Sequence, residues 1–174
     1  MRLATLLAAL PVSPRGDGPV VLGSRDREVT GLAYHSAQVR AGDLFAAIRG
    51  LSQDGHRYAA DAVRRGAVVV LVDRALPDVG TTQVVVPDTR QALAHIAAAF
   101  HGTPSEHLWV CGVTGTNGKT TTTYLVDSIL RAAGCEVGLL GTIGYRLVRE
   151  ERPAPNTTPE SLDQIGRASC RERV

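Results

Sequence analysis

Cysteine, aromatics and unbalanced charge are all in short supply in this chain of 174 residues. The three cysteines, Cys111, Cys135 and Cys170, are odd in number and widely spaced, which fits neither a disulfide framework nor a metal site and suits a reducing compartment. Aromatic residues make up 4% of the chain, and the remaining composition is ordinary for a soluble α/β protein. The formal net charge is +2, and Arg167, Arg171 and Arg173 set against Glu172 account for all of it. The rest of the chain is balanced, which argues against a nucleic-acid-binding surface. No apolar run approaches the length needed to cross a bilayer. Arg2 and the apolar stretch 3–10 have part of a secretory-leader pattern, but no small-x-small cleavage site follows and Pro11 and Pro14 intervene. A short helix is expected there instead. The five histidines, His35, His56, His95, His101 and His107, are scattered without ligand spacing and read as surface or cap residues.

What the chain does have is one concentrated motif. Residues 108–113 are apolar and predict a short buried strand, with Cys111 as a small filler in it. Residues 114–120 form a glycine-bearing turn, and Leu125, Val126, Ile129 and Leu130 are spaced for a helix starting near Thr121. A strand, turn and helix in that order put unpaired backbone N–H groups at a helix N-terminus, which favours an anion. Gly115 and Gly118 let the backbone curl round a phosphate, Lys119 can reach β- and γ-phosphates, and the Thr120 hydroxyl can ligate Mg²⁺. The loop departs from the common G-x-x-x-x-G-K-[ST] pattern, whose first glycine would fall on Val113; here the glycines stand at 112 and 115. Gly115, Thr116, Asn117, Gly118, Lys119, Thr120 and Thr121 are the expected nucleotide contacts, with Lys119 and Thr120 nearest the chemistry.

Ahead of this motif, strands are expected at 20–22, 29–34, 43–48, 67–72 and 83–86, the fourth a β-branched run of the kind buried on both faces. Helices are expected at 57–65, stopped by Gly66, and at 89–100, capped by Asp88 with Gln91 three residues on and burying Leu93, Ile96, Ala97 and Phe100. Alternating strands and helices define an α/β class with part of the sheet parallel. The stretch 101–105 is a natural boundary, giving a domain over 1–104 and a second over 105–165. In the second, Gly134 is a plausible helix stop, 136–143 a glycine-weakened strand and 145–155 a hairpin and loop. Thr158 and Pro159 are expected to open a helix as its cap and first position. Residues 166–174 lack apolar periodicity, look like the translation of a sequencing-adapter read-through, and are set outside the fold as a non-native tail.

The loop Gly112-Val-Thr-Gly-Thr-Asn-Gly-Lys-Thr-Thr-Thr-Thr123 resembles the ATP loop of the Mur ligases, the ATP-dependent amide-bond-forming enzymes of peptidoglycan precursor synthesis. The folate-polyglutamate ligases of the same superfamily typically have Gly-Ser or Gly-Thr after the lysine, so Thr120-Thr121 favours the Mur branch. The series Gly31-Leu-Ala-Tyr-His-Ser36, Gly42-Asp-Leu-Phe45 and Asp54-Gly-His56 is similar to the UDP-binding domain of the synthetases adding the third peptide residue. Many members have Asp in place of His35 and Arg in place of Ala37. The resemblance implies a small N-terminal UDP-sugar-binding domain followed by the truncated start of a central ATPase domain. It implies UDP-sugar contacts at Tyr34, Ser36, Leu51, Ser52 and Gln53, and muramoyl-dipeptide contacts at Asn156, Thr157 and Thr158. ATP and Mg²⁺ would be the cofactors. UDP-N-acetylmuramoyl-dipeptide and a dibasic amino acid would be the substrates, meso-diaminopimelate first and lysine or ornithine as alternatives. A cytoplasmic monomer with no nucleic-acid or membrane partner is implied. Further magnesium ligands, a carbamylated lysine and the amino-acid-selecting domain would lie beyond residue 165, so the fragment alone would be inactive. A nucleotide switch or carrier and a non-catalytic UDP-sugar-binding module are the other classes open.

Overall fold

The computed structural model describes residues 1–11, 18–50, 53–147, 150–154 and 158–169. The chain forms two compact units, Met1–Pro104 and Ser105–Val174.

In the first unit, α1 (Leu3–Ala8) is followed by β1 (Val20–Leu22), β2 (Gly31–Ala33) and β3 (Asp43–Ala46). A 3₁₀ turn at Gly55–Tyr58 leads into α2 (Ala59–Arg64), then β4 (Val69–Val72), β5 (Thr82–Val85) and α3 (Thr89–Phe100). The five strands form one sheet in the order β1-β5-β4-β3-β2, parallel throughout except for β1 on the edge. β3 and β4 are buried at every position, as continuous apolar runs of a doubly covered sheet require. Alternate residues serve opposite layers. Phe45, Val70 and Val72 join Ala59, Ala62 and Val63 of α2, while α3 packs over β3 and β4 with Leu93, Ile96 and Ala97 buried. Each such Val or Leu taken fully out of water contributes about 1.5–3 kcal/mol. Phe100, expected in the core, is only half-buried at the last turn of α3.

The helix ends follow local chemistry. Asp88 accepts hydrogen bonds from the N–H groups of Arg90 and Gln91, both at 2.9 Å, and so caps α3. α2 ends where Gly66 takes φ +106°, with Gly66 N–H donating to Val63 O and Ala67 N–H to Ala62 O. The crossing there is tight, since a Cβ on Gly66 would stand 2.8 Å from Ala41 Cα.

In the second unit, α4 (Lys119–Ala132) precedes β6 (Leu139–Leu140), β7 (Gly144–Leu147), β8 (Glu150–Pro153) and α5 (Ser161–Ser169). The strands form an antiparallel sheet in the order β6-β7-β8. Several expectations are corrected here. Residues 108–113 form no strand; Trp109 is fully exposed, Val110 is 76% exposed and Cys111 is exposed rather than a buried filler. An apolar run becomes a strand only with neighbours to pair with, and among the described residues none pairs with this one. The expected strand over 136–143 shrinks to two residues, its glycines offering no side chains to pack. α5 begins at Ser161, with Gln164 N–H donating to Glu160 O, so Thr158 and Pro159 precede the cap instead of forming it. α5 also continues through residues 166–169, and the Arg167 guanidinium lies 4.5 Å over the buried Tyr145 ring, so this stretch packs as part of the unit. No helix among the described residues is long and apolar enough to cross a membrane.

Candidate functional site

The phosphate loop is built where the chain turns into α4. Gly118 occupies the N-cap position with φ +79°, a left-handed conformation natural to glycine. Nothing lies within 4 Å of where its Cβ would be, so conformation rather than space calls for glycine. The first intrahelical bond runs from Thr122 N–H to Gly118 O at 2.8 Å. The N–H groups of Lys119, Thr120 and Thr121 therefore precede the helical ladder and point out of the helix start. The first turn has no acidic side chain, so the positive end of the helix dipole is uncompensated there. Lys119 folds back over the loop, its ammonium donating to Gly115 O and, at 3.4 Å, to Thr116 O. Thr116, Asn117 and Thr121 are exposed and Thr120 is half-buried. The loop thus brings the backbone donors of the helix start and the Lys119 ammonium together within residues 115–121.

The structure bears on a metal in one respect. Among the described residues no three His, Cys, Asp or Glu side chains cluster as a ligand set. Thr120 fits only as a single hydroxyl ligand to an ion arriving on nucleotide phosphates, the usual habit of Mg²⁺.

Two of the expected substrate residues of the first unit, Ser36 and Gln53, contact the start of α2. Ser36 lies in a 3₁₀ turn and donates to the Asp61 carboxylate, which that bond and Arg65 hold below the usual carboxylate range. Gln53 Oε1 accepts from Tyr58 OH at 2.8 Å. Tyr58 and Asp61 are one helical turn apart, so Ser36 and Gln53 are tied to the same face of one segment. The half-buried Tyr34 ring lies 4.4 Å from that of His35. Leu51, Ser52, Asn156 and Thr157 lie outside the described residues, and Thr158 is exposed ahead of α5.

Next to Gln53 is a charged cluster that residue-by-residue reading missed. His56, expected at the surface, is buried, its side chain 2% exposed. Its Nδ1 faces Asp54 Oδ1 at 2.5 Å, and its Nε2 accepts from Asp73 N–H at 3.1 Å. Arg74 bridges Asp54 and Asp73 at 3.0 and 3.1 Å, and Arg49 Nε meets Asp73 at 2.8 Å. Asp54 is held far below the usual aspartate range, first by the His56 backbone N–H and then by Arg74, whose own value is raised. Arg49 and Asp73 also wall a cavity of about 310 Å³ at the carboxyl ends of β3, β4 and β5, closed by Asp88, Thr89 and Arg90 at the head of α3. Crevices at the carboxyl ends of parallel strands are where open α/β sheets take ligands. Only the Asp54–His56 spacing was legible in advance; Asp73 and Arg74 reach it from the end of another strand.

These features define a two-unit α/β protein with a glycine-capped loop at a helix head and a parallel-sheet unit before it in the chain. Residues 28–101 match the Mur ligase family, catalytic domain, and residues 113–166 the Mur ligase middle domain. The chain belongs to the Mur ligase family. It is 44% identical over 174 residues to the UDP-N-acetylmuramoyl-L-alanyl-D-glutamate--2,6-diaminopimelate ligase of Syntrophomonas wolfei, covering 99% of this chain and 34% of that protein. It is 48% identical over 166 residues to the ligase of the same name from Solibacter usitatus, covering 95% and 33%. The chain therefore spans about a third of the length of the curated relatives it matches. A solved structure of a UDP-N-acetylmuramoyl-L-alanyl-D-glutamate--2,6-diaminopimelate ligase matches with TM-score 0.61 at 22% identity, over 82% of this chain and 29% of that one. MurF from Acinetobacter baumannii matches with TM-score 0.58 at 23% identity, over 96% and 32%. These structural likenesses show the Mur ligase fold.

Proposed function

We propose that this chain supplies the UDP-sugar-binding unit and the phosphate loop of an ATP-dependent ligase. That ligase joins meso-diaminopimelate to UDP-N-acetylmuramoyl-L-alanyl-D-glutamate. The observation that carries the reading is the loop at the head of α4, with its glycine N-cap, free first-turn N–H groups and overlying Lys119. The names of the relatives favour diaminopimelate over lysine or ornithine. In the complete reaction ATP phosphorylates the side-chain carboxyl of the D-glutamate, and the amine of the dibasic amino acid displaces phosphate from the acyl phosphate.

The chain's own contribution is charge and position. The N–H groups of residues 119–121 would bind the phosphates along the helix dipole, and Lys119 would exchange Gly115 O and Thr116 O for phosphate oxygens. Donors aimed at transferring phosphoryl oxygens act chiefly by stabilising charge. Magnesium, when bound, would offset phosphate charge, with Thr120 as its one ligand from this chain. The exposed free cysteines Cys111 and Cys135 agree with a reducing cytoplasm. The test is calorimetric titration of ATP into the 174-residue chain, with and without Mg²⁺. Binding should be measurable and should fall at least about tenfold in Lys119→Ala, as loss of one charge-assisted phosphate contact implies. Equal affinity in the variant would overturn the assignment of the loop. With all substrates supplied, the chain alone should form no tripeptide product, since it spans a third of the relatives' length.

A further inference from the structure

We propose that His56 is a positioning residue for Gln53 and Arg49, holding them for a nucleoside-diphosphate sugar; this rests on the reading that Gln53 belongs to that binding region. Residues 48–50 and 53–55 pair as a short stem through the Arg49–Asp54 bridge, Gly50 N–H to Gln53 O at 2.8 Å, and Gly55 N–H to Ile48 O at 3.0 Å. Both sides of the stem are then tied to one dipeptide at the end of β4. Arg49 reaches Asp73 at 2.8 Å, and Asp54 is joined to Arg74 at 3.0 Å. His56 is the buried hub between them. Its Nε2 accepts from Asp73 N–H at 3.1 Å and lies 3.2 Å from Asp73 Oδ1, while its Nδ1 faces Asp54, so the ring is held between the two aspartates.

A buried polar hub of this sort is poor evidence for stability. Well-packed apolar residues of similar volume are often as stabilising or more so. What the ring does that an apolar residue cannot is fix two hydrogen-bond directions at once, and so tie Asp54 on the stem to Asp73 at the end of β4. Arg49 and Asp73, locked by the same network, wall the cavity at the strand ends. One histidine therefore links the stem that bears Gln53 to the cavity wall.

The experiment is calorimetric titration of UDP-N-acetylmuramoyl-L-alanyl-D-glutamate into the 174-residue chain, with ATP titrated in parallel. The variants are His56→Leu, His56→Asn and, as a core control, Ile96→Val. Each is also melted thermally. His56→Leu should weaken the UDP-sugar by roughly 10- to 100-fold, the scale that misplacement of a binding group can cost, while ATP affinity stays unchanged. His56→Asn, which keeps an N–H near the Nδ1 position, should recover part of the loss. Ile96→Val should bind as wild type despite its lower melting temperature. A folded His56→Leu chain with wild-type affinity overturns the proposal, as does an asparagine variant no better than leucine or an equal loss in Ile96→Val. If His56→Leu does not fold, Arg74→Gln, at a side chain 46% exposed, removes the Asp54 clamp without opening the core and should show the same loss. Undiminished binding there overturns the proposal too. Wild-type chain that binds no UDP-sugar refutes the functional reading itself, and this inference with it.

Discussion

Gly55 is the position where a single methyl group should do the most harm. A Cβ there would stand 2.6 Å from Ile48 O, 2.8 Å from Ile48 N and 3.1 Å from Ala47 C. All of these are backbone atoms of the segment leaving β3, so no flexible side chain can swing aside. Forcing extra volume into such a packed contact costs about 1–3 kcal/mol. The shift would also break or lengthen the Gly55 N–H to Ile48 O bond, 3.0 Å long, at a net cost of about 1 kcal/mol. Gly55→Ala should therefore destabilise the first unit by about 2–4 kcal/mol. For a domain of this size 1 kcal/mol is worth about 4–8 °C, so its melting temperature should fall by roughly 10–25 °C. Gly80→Ala is the matched control, because nothing lies within 4 Å of its would-be Cβ. Both variants would be melted as the 174-residue chain and followed by far-UV circular dichroism. A Gly55→Ala midpoint within about 2 °C of wild type would refute the steric argument.

Asp54 is held below its ordinary value of 3.8, so the stability it contributes is complete above about pH 5 and is lost as pH falls toward its folded value. Asp54→Asn should therefore flatten the decline in urea midpoint between about pH 5 and pH 3, and an unchanged slope would count against the Asp54 network. Leu93→Ala, at a fully buried site on α3, should cost about 2–5 kcal/mol by equilibrium unfolding. Leu125→Ala, at a site 59% exposed on α4, should stay within about 0.5 kcal/mol of wild type, and a large loss there would mean that this face is covered in solution.

What could be read in advance was what short stretches of chain determine. β4 is a run of four apolar residues with no room for a polar face, and it lies at every position inside the first sheet. Asp88 caps α3 because an aspartate before a periodic apolar stretch has few better uses for its carboxylate. The loop and helix start around Gly118 were legible for the same reason, since the glycines, Lys119 and the first helical turn fall within a few consecutive residues. The cluster at His56 was not. Asp73, 17 positions further on, meets the ring, and Arg74 beside it meets Asp54, only because β3 and β4 run parallel side by side. Nothing in the local spacing of a lone Asp-Gly-His points to that meeting.

The second unit makes the same distinction on a single helix. Leu125, Val126, Ile129 and Leu130 are spaced to face inward, yet Leu125 and Ile129 are 59% and 67% exposed. The side of α4 that is held is the polar one. Asp127, only 3% exposed, accepts from Arg131 at 2.8 Å and from Arg146 of β7 at 3.0 Å, and Arg146 also lies over the Tyr124 ring. A carboxylate between two guanidiniums can be buried because each lone pair finds a charged donor. An apolar stripe has no such directional partner and is buried only where another surface meets it. Among the described residues of this unit the strands available are β6, β7 and β8, and α4 meets them through its charged side. Trp109 and Val110, the apolar residues just before the phosphate loop, are exposed for the same reason. Hydrophobic spacing thus states which side chains gain from leaving water. Which of them do leave depends on the surface that comes to meet them, and for residues 108–113 and the outer face of α4 that surface is not written in their own periodicity.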